Sequence, residues 1–293
     1  MAASGKPVAD CEVNFTMPKT DCGPPIFRIS CFLRFQRIQL SATLPHTVVY
    51  RTFFLVVDLF VSGTFKMVSL TVLCCLVAFV VGGIPFGYLV GRAILKDDIR
   101  KHGSGNIGAT NVARVIGWKW GSLVLVLDAI KGLLPTLGTR LLMASRFSED
   151  AAQTATILAG ITAILGHMYP IWLKLRGGKG VATALGVVLV ISPVASLVAL
   201  VLFSIVVGTT KIVAAASIAA ATGFAITQLI LLGSQVFDIA KLPLTLFSVI
   251  VPALIIWKHR SNIGRILRGE ENRIGKRSPP SSTTSLETPG TKG

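Results

Sequence analysis

The stretch Val181–Val207, VATALGVVLVISPVASLVALVLFSIVV, decides how this chain is folded. It is an uncharged apolar run of the kind that crosses a membrane, yet Ser192-Pro193 interrupts it near its middle. Proline removes a helix donor and biases the preceding residue away from helix, so the pattern predicts two short helices turning at 192–193. Each half holds about 11–14 residues, roughly 16–21 Å of helix, against a hydrocarbon core of about 30 Å. Such halves thin the bilayer locally or pack inside a bundle.

The charge pattern requires that extra turn. Of 293 residues, 52% are apolar and 14% charged, where a soluble domain carries about 25% charged residues; the mean hydropathy is +0.70. Further apolar segments lie near 68–90, 118–144, 151–175, 211–232 and 242–257, each long enough to cross, the last only just. Residues 92–119 hold six Lys/Arg, 174–179 three, and Lys258–Arg277 seven. The positive-inside rule places all three regions in the cytoplasm. Six crossings leave the last one outside; a seventh, made by the broken segment, brings it back. The expected fold is therefore all-α: a polytopic membrane protein of seven transmembrane helices, its active-site loops and short helices cytoplasmic. The N-terminus of its membrane domain (67–277) is expected outside.

Residues 1–66 carry scattered bases, Pro18, Pro24 and Pro25, and no sustained periodicity. They fit either an organellar targeting segment, which would make a plastid membrane an alternative location, or an upstream extension preceding a true start at Met67; the second is plainer. Residues 278–293, Pro- and Ser/Thr-rich, read as a disordered tail.

Three polar clusters share the predicted cytoplasmic side. In Gly103–Arg114, GSGNIGATNVAR, glycines 103, 105 and 108 allow tight or left-handed turns that expose consecutive amides, and Arg114 adds a charged fork suited to phosphate or carboxylate. In Arg176-Gly177-Gly178-Lys179-Gly180-Val181-Ala182-Thr183, glycines and a lysine lead into a helix N-terminus, again an anion site. The alternative for both is a connecting loop with ordinary positive-inside charges. In Lys258-His259-Arg260-Ser261-Asn262, His259 and Asn262 share a face if helical, and neighbouring cations favour a neutral imidazole; alone, the stretch would fit a headgroup-facing tail. Asp128 and Lys131, spaced i, i+3 inside a span, read as a structural ion pair. His167 reads as a packing or hydrogen-bonding histidine, and His46 and His102 show no partners.

The net charge of +16 fits anionic lipid, anionic substrates or topology alone; nucleic acid is not expected. The five cysteines, at 11, 22, 31, 74 and 75, have neither zinc-ligand nor disulfide-framework spacing. No aspartate cluster offers a magnesium site, and the H-x-x-x-x-D and G-x-S-x-G motifs are absent. No metal or cofactor is expected.

Together and in this order, the clusters resemble the motifs of the bacterial acyl-phosphate:glycerol-3-phosphate acyltransferase family, PlsY. The likeness runs from about 68 to 277 and includes Ile84-Pro85-Phe86-Gly87, Gly166-His167, Asp128-Ala129-Ile130-Lys131-Gly132 and Gly269-Glu270-Glu271-Asn272. It implies a seven-helix enzyme of the bacterial inner membrane whose active site faces the cytoplasm. The enzyme would transfer a fatty acyl group from acyl phosphate to the 1-hydroxyl of glycerol 3-phosphate, giving lysophosphatidic acid and phosphate. Its partners would be those two substrates, membrane lipid and, as a candidate, the enzyme that makes acyl phosphate. By position, the likeness places phosphate binding and catalysis on Ser104, Arg114, Lys179, His259 and Asn262. Gly103, Gly105, Asn106, Asn111, Gly178 and Thr183 complete the expected substrate-binding set. The proton acceptor is open between the substrate's own phosphate, with His259 orienting it, and His259 itself. Two other classes compete: a transporter of phosphate-bearing anions, disfavoured by the lack of motif repetition between halves, and an acyl-CoA-dependent acyltransferase.

Overall fold

Proline decides where several helices of this chain stop. A computed structural model describes residues 63–275; the expectations for residues 1–62 and 276–293, including the tail and His46, lie outside them. The first apolar segment is two helices, not one: α1 (Gly63–Gly82) ends before Pro85 and α2 (Phe86–Ile94) begins after it. Pro85 supplies no N–H, and the Ile84 carbonyl at the break accepts a hydrogen bond from the Lys131 ammonium at 2.6 Å.

The remaining helices are α3 (Ala109–Val115), α4 (Trp118–Ala144), α5 (Glu149–Met168), α6 (Val181–Ile191), α7 (Pro193–Thr210), α8 (Val213–Leu232), α9 (Leu242–Lys258) and α10 (Arg260–Leu267). At the start of α5 the Ser148 hydroxyl accepts from the Ala151 amide, and Glu149 and Asp150 complement the helix dipole. The break between α6 and α7 falls at Ser192, as the sequence predicts, but the second half runs on to Thr210. The buried Ser192 hydroxyl is tied to the Gln228 side chain of α8, which fixes the break from outside.

Helix α4 lies against α5 and α6, α7 against α8, and α8 against α9. Small residues set the closest approaches, as in membrane bundles generally. A Cβ on Gly132 of α4 would stand 2.2 Å from the Thr183 carbonyl oxygen, and one on Gly186 of α6 would stand 2.0 Å from that of Ala129. The same device joins α1 and α5, through Gly82 on Ala163 and Gly166 on Phe79. Elsewhere the core closes with larger groups: Phe224 and Phe247 meet edge to face with centroids 6.2 Å apart. Leu73, Leu76, Leu134, Leu141 and Ile230 stay exposed on the outer surface, where acyl chains replace water.

Among the described residues five helical stretches are long and apolar enough to span, or six when α9 and α10, bent 58° at His259, count as one. Helix α6 is a further apolar helix of 11 residues, about 16 Å long. The protein is thus an all-helical polytopic membrane protein; seven crossings would require this short helix to span a thinned bilayer.

The α4–α6 contact yields a direct test. Gly186→Leu pushes a side chain into the backbone of α4 and should cost about 3 kcal/mol, read as a lower Tm in detergent. Gly138→Ala, with nothing within 4 Å of the new Cβ, should be neutral or stabilise by up to about 1 kcal/mol. Equal Tm for the two variants would contradict the packing.

Candidate active site

The first polar cluster is a loop wound around one asparagine. Asn111, buried in α3, accepts the Ser104 amide on Oδ1 at 2.7 Å; its Nδ2 donates toward the carbonyls of Asn106 (2.8 Å), His102 (3.1 Å) and Ile99 (3.3 Å). Gly103 and Gly105 take positive φ (60° and 70°), which the turn requires. Gly108 does not: it is the extended N-cap of α3, with its amide held by Asn106 Oδ1 at 2.8 Å. Asn111 thereby spends its side-chain hydrogen bonds on the loop and orients Ser104.

The second cluster is seated on a buried histidine. The Gly178 amide donates to the His167 carbonyl at 3.1 Å, and a Cβ on Gly178 would fall 2.1 Å from His167 Nε2. His167 Nδ1 stands 3.7 Å from Asp128 Oδ1, which is 2.8 Å from the Lys131 ammonium. The expected Asp128–Lys131 pair is present, extended to a third buried group. Gly180 turns with φ 85° into α6, and Lys179 projects beside its N-terminus.

The third cluster meets Lys179 from the far end of the chain. The Lys179 ammonium bonds to Asn262 Oδ1, Asn262 Nδ2 donates to Glu271 Oε1 at 2.8 Å, and Arg265 Nε donates to Glu271 Oε2 at 2.7 Å. Burial, partly countered by the Glu271 charge, lowers the Lys179 pKa to about 8. Burial also opposes the Arg114 charge, which Glu271 supports and Arg265 opposes. His259 occupies the joint between α9 and α10, and its Nδ1 bonds to the Ile255 carbonyl at 2.8 Å. A carbonyl only accepts, so Nδ1 carries the proton and Nε2 is left as an acceptor. Burial first, then the Lys179 charge, lowers the His259 pKa to about 4. The neutral imidazole is as expected; its main cause is burial rather than its sequence neighbours.

A cavity of about 850 Å³ brings the clusters together. Gly103, Ser104, Asn106, Asn111 and Arg114 line it from the first, Lys179 from the second, and His259 and Asn262 from the third. Three expected binding residues lie elsewhere. Gly105 lines a neighbouring cavity. Gly178 is packed under His167, because only a residue without Cβ fits there. Thr183 is fully buried against Gly132 of α4, since the α4–α6 approach covers it. His102, expected to lack partners, lies 3.0 Å from Asp97 Oδ2 across one turn of chain. Among the described residues no three His, Cys, Asp or Glu side chains group as metal ligands would.

Residues 72–269 match the protein family described as glycerol-3-phosphate acyltransferase. A glycerol-3-phosphate acyltransferase of Anaeromyxobacter is 44% identical over 196 residues, covering 67% of this chain and 92% of the relative. The chain belongs to this acyltransferase family. Crystal structures of PlsY (YgiH), an integral membrane glycerol 3-phosphate acyltransferase, superpose at 34% identity over 70% of this chain. The glycerol 3-phosphate form gives a TM-score of 0.62 with 96% of that chain covered, and the lysophosphatidic acid form 0.60 with 95%.

Within this family framework, the cavity residues that escaped the sequence-based site include Asp128, His167 and Glu271. Glu271 is the acceptor around which Asn262 and Arg265 are ordered. Its signal in sequence is an acid placed inside a strongly basic tail.

Asn111→Ala strands the Ser104 amide and three carbonyls, at about 1–3 kcal/mol per buried group left unpaired. Hydrogen exchange over 99–108 should rise sharply. Asn111→Asp should be no milder, since a carboxylate oxygen then faces the carbonyls. Unchanged exchange at Ser104 in Asn111→Ala would remove Asn111 as the organiser of the loop.

Proposed function

We propose that the protein transfers a fatty acyl group from acyl phosphate to the 1-hydroxyl of glycerol 3-phosphate, releasing phosphate and 1-acyl-glycerol 3-phosphate. The observation that carries this reading is the meeting of Ser104, Arg114, Lys179, His259 and Asn262 in one cavity, from three sequence-distant clusters. Both substrates and the leaving group bear phosphate, and half-desolvated cations beside fixed amide donors are the environment that stabilises them. Trp118, Leu125, Phe203 and Val213 supply an apolar wall to the same cavity, suited to the start of an acyl chain. The basic loops around it favour placement at the cytoplasmic face of the bacterial inner membrane.

In the proposed step the 1-hydroxyl oxygen attacks the acyl carbonyl carbon, the new ester C–O bond forms, and the acyl–phosphate bond breaks. Acyl phosphate is a reactive mixed anhydride, so positioning supplies much of the acceleration. Arg114 and Lys179 take charge from the departing phosphate. The hydroxyl proton passes to the phosphate of glycerol 3-phosphate. Its second pKa of about 6 makes it a stronger base than an imidazole held two units lower, by about a hundredfold. His259 Nε2, left as an acceptor, orients the glycerol by taking a hydrogen bond from its other hydroxyl, which leaves the 1-hydroxyl proton to the phosphate.

The donor is tested with purified protein and labelled glycerol 3-phosphate, offering acyl phosphate, acyl-CoA and acyl carrier protein separately. Product from acyl phosphate alone is expected; product from acyl-CoA alone would overturn the donor assignment, and no acylated product would overturn the enzyme.

The pH profile follows from the two shifted groups. His259, neutral above about pH 4, adds no acid limb near neutrality; kcat/KM rises only with ionisation of the substrate phosphate near about 6. Lys179 is cationic below its pKa, so kcat/KM should fall as pH rises through about 8. Lys179→Arg, which does not titrate there, should retain part of the activity and lose that alkaline limb. An unchanged alkaline limb in the arginine variant would contradict the role of the Lys179 charge.

A further inference from the structure

A second cavity, of about 560 Å³, shares both glycine loops with the active site. Gly105 and Ile107 line it while their neighbours Ser104 and Asn106 line the active-site cavity; Gly177 lines it while Lys179 lines the other. Its remaining wall is cationic and aromatic: Tyr88, Arg100, Trp172, Leu173, Lys174 and Arg176.

The charges in this wall are unbalanced. Arg100 forks onto Asp98, with Nε at 3.0 Å and Nη2 at 2.7 Å, and lies 5.4 Å over the Tyr88 ring. Lys174 and Arg176 engage no acid among the described residues. They are held in place nonetheless. The Leu173 and Leu175 amides both bond to the Pro170 carbonyl, at 3.1 and 3.0 Å, and the Gly177 amide bonds to that of Met168 at 3.2 Å. Lys174 and Leu175 adopt φ of 53° and 61°, a left-handed pair without glycine. Such backbone persists only where its surroundings impose it. Its effect is to turn Ile171, Trp172 and Leu175 outward, each more than half exposed, beside two unpaired cations. An outward tryptophan with apolar neighbours and free cations at the end of a spanning helix is the composition of a lipid-headgroup contact.

We propose that this second cavity binds the phosphate of an anionic phospholipid. Lys174 and Arg176 hold the phosphate, and Trp172, Ile171 and Leu175 pack against the glycerol and first acyl carbons. A free phosphate offers the same charge but leaves the apolar flank without a partner. Because the cavity is walled by the two loops that carry Ser104 and Lys179, a lipid here also braces the active site from behind.

The test uses the full chain in phosphatidylcholine nanodiscs, titrated with dibrominated phosphatidylglycerol while tryptophan fluorescence is followed. Trp172→Phe isolates the Trp172 contribution from the other three tryptophans. Saturable quenching of Trp172 is expected, with half-saturation moved to about thirtyfold higher lipid fraction in the double variant Lys174→Gln/Arg176→Gln. An unchanged Tm verifies the fold of both exposed-residue variants, and the readout does not depend on catalysis. Equal quenching by dibrominated phosphatidylcholine, or an unshifted titration in a folded double variant, would overturn the site. Relief of quenching by inorganic phosphate at millimolar concentration would reassign the cavity to the free anion and overturn the lipid as its ligand.

Discussion

A lysine at the middle of a membrane helix is the constraint on which the arrangement depends. Lys131 is 3% exposed, and its ammonium is shared between the Ile84 carbonyl and Asp128. At the Pro85 break the Ile84 carbonyl accepts the Phe86 amide at 3.1 Å together with the Lys131 ammonium, in a setting where the bilayer offers no water. The Lys131 bond fastens the α1–α2 joint to α4. Asp128 balances the lysine and lies against His167, and His167 seats Gly178. One buried chain of polar contacts thus runs from a helix break in the first span to the loop that presents Lys179. A buried ion pair is weak evidence for added stability, because desolvation consumes most of the attraction. Its contribution here is to tie the α1–α2 joint, α4 and α5 together at one level of the bundle.

The cavity that results is positive but not bare. Arg114, Lys179 and Arg265 crowd one region, and the Glu271 carboxylate, bonded to Asn262 and Arg265, relieves their repulsion. The carboxylate also consumes donor capacity: Asn262 gives one amide hydrogen to Glu271 and its oxygen to Lys179. These groups are preorganised, their mutual geometry set within the protein, which is where electrostatic stabilisation gains its advantage over water. Partial burial serves the same end, since charge–charge attraction strengthens as water leaves.

What the sequence made legible was local chemistry: the proline at the α6–α7 break, the apolar segments, and the clusters whose residue types suit an anion. Ser104, Arg114, Lys179, His259 and Asn262 could be nominated by position from the likeness to the family's motifs; the composition of their runs alone left connecting loops and a headgroup-facing tail open. What it left dark was tertiary. Nothing in spacing says that Asn111 turns inward to hold its loop, that Thr183 is covered by the close approach of Gly132, or that Gly178 rests on a histidine. Asp128 and His167 lie far apart along the chain and meet only because α4 packs on α5. Pro85 carried a legible break signal of the same kind as Pro193, but the hydropathy on either side of it hid the interruption.

The short helix α6 joins the fold to the chemistry. Its close contacts with α4, through Gly132 and Gly186, fix its height in the bundle. The Ser192–Gln228 bond fixes where it must end. With both constraints in place, the N-terminus of this 11-residue helix is held at the cavity that Lys179, Gly180, Val181 and Ala182 line. Its positive end opens into that cavity, where the unpaired amides of a first turn favour negative charge. The interruption that makes the topology hard to count thus ends the same helix whose first turn lines the cavity.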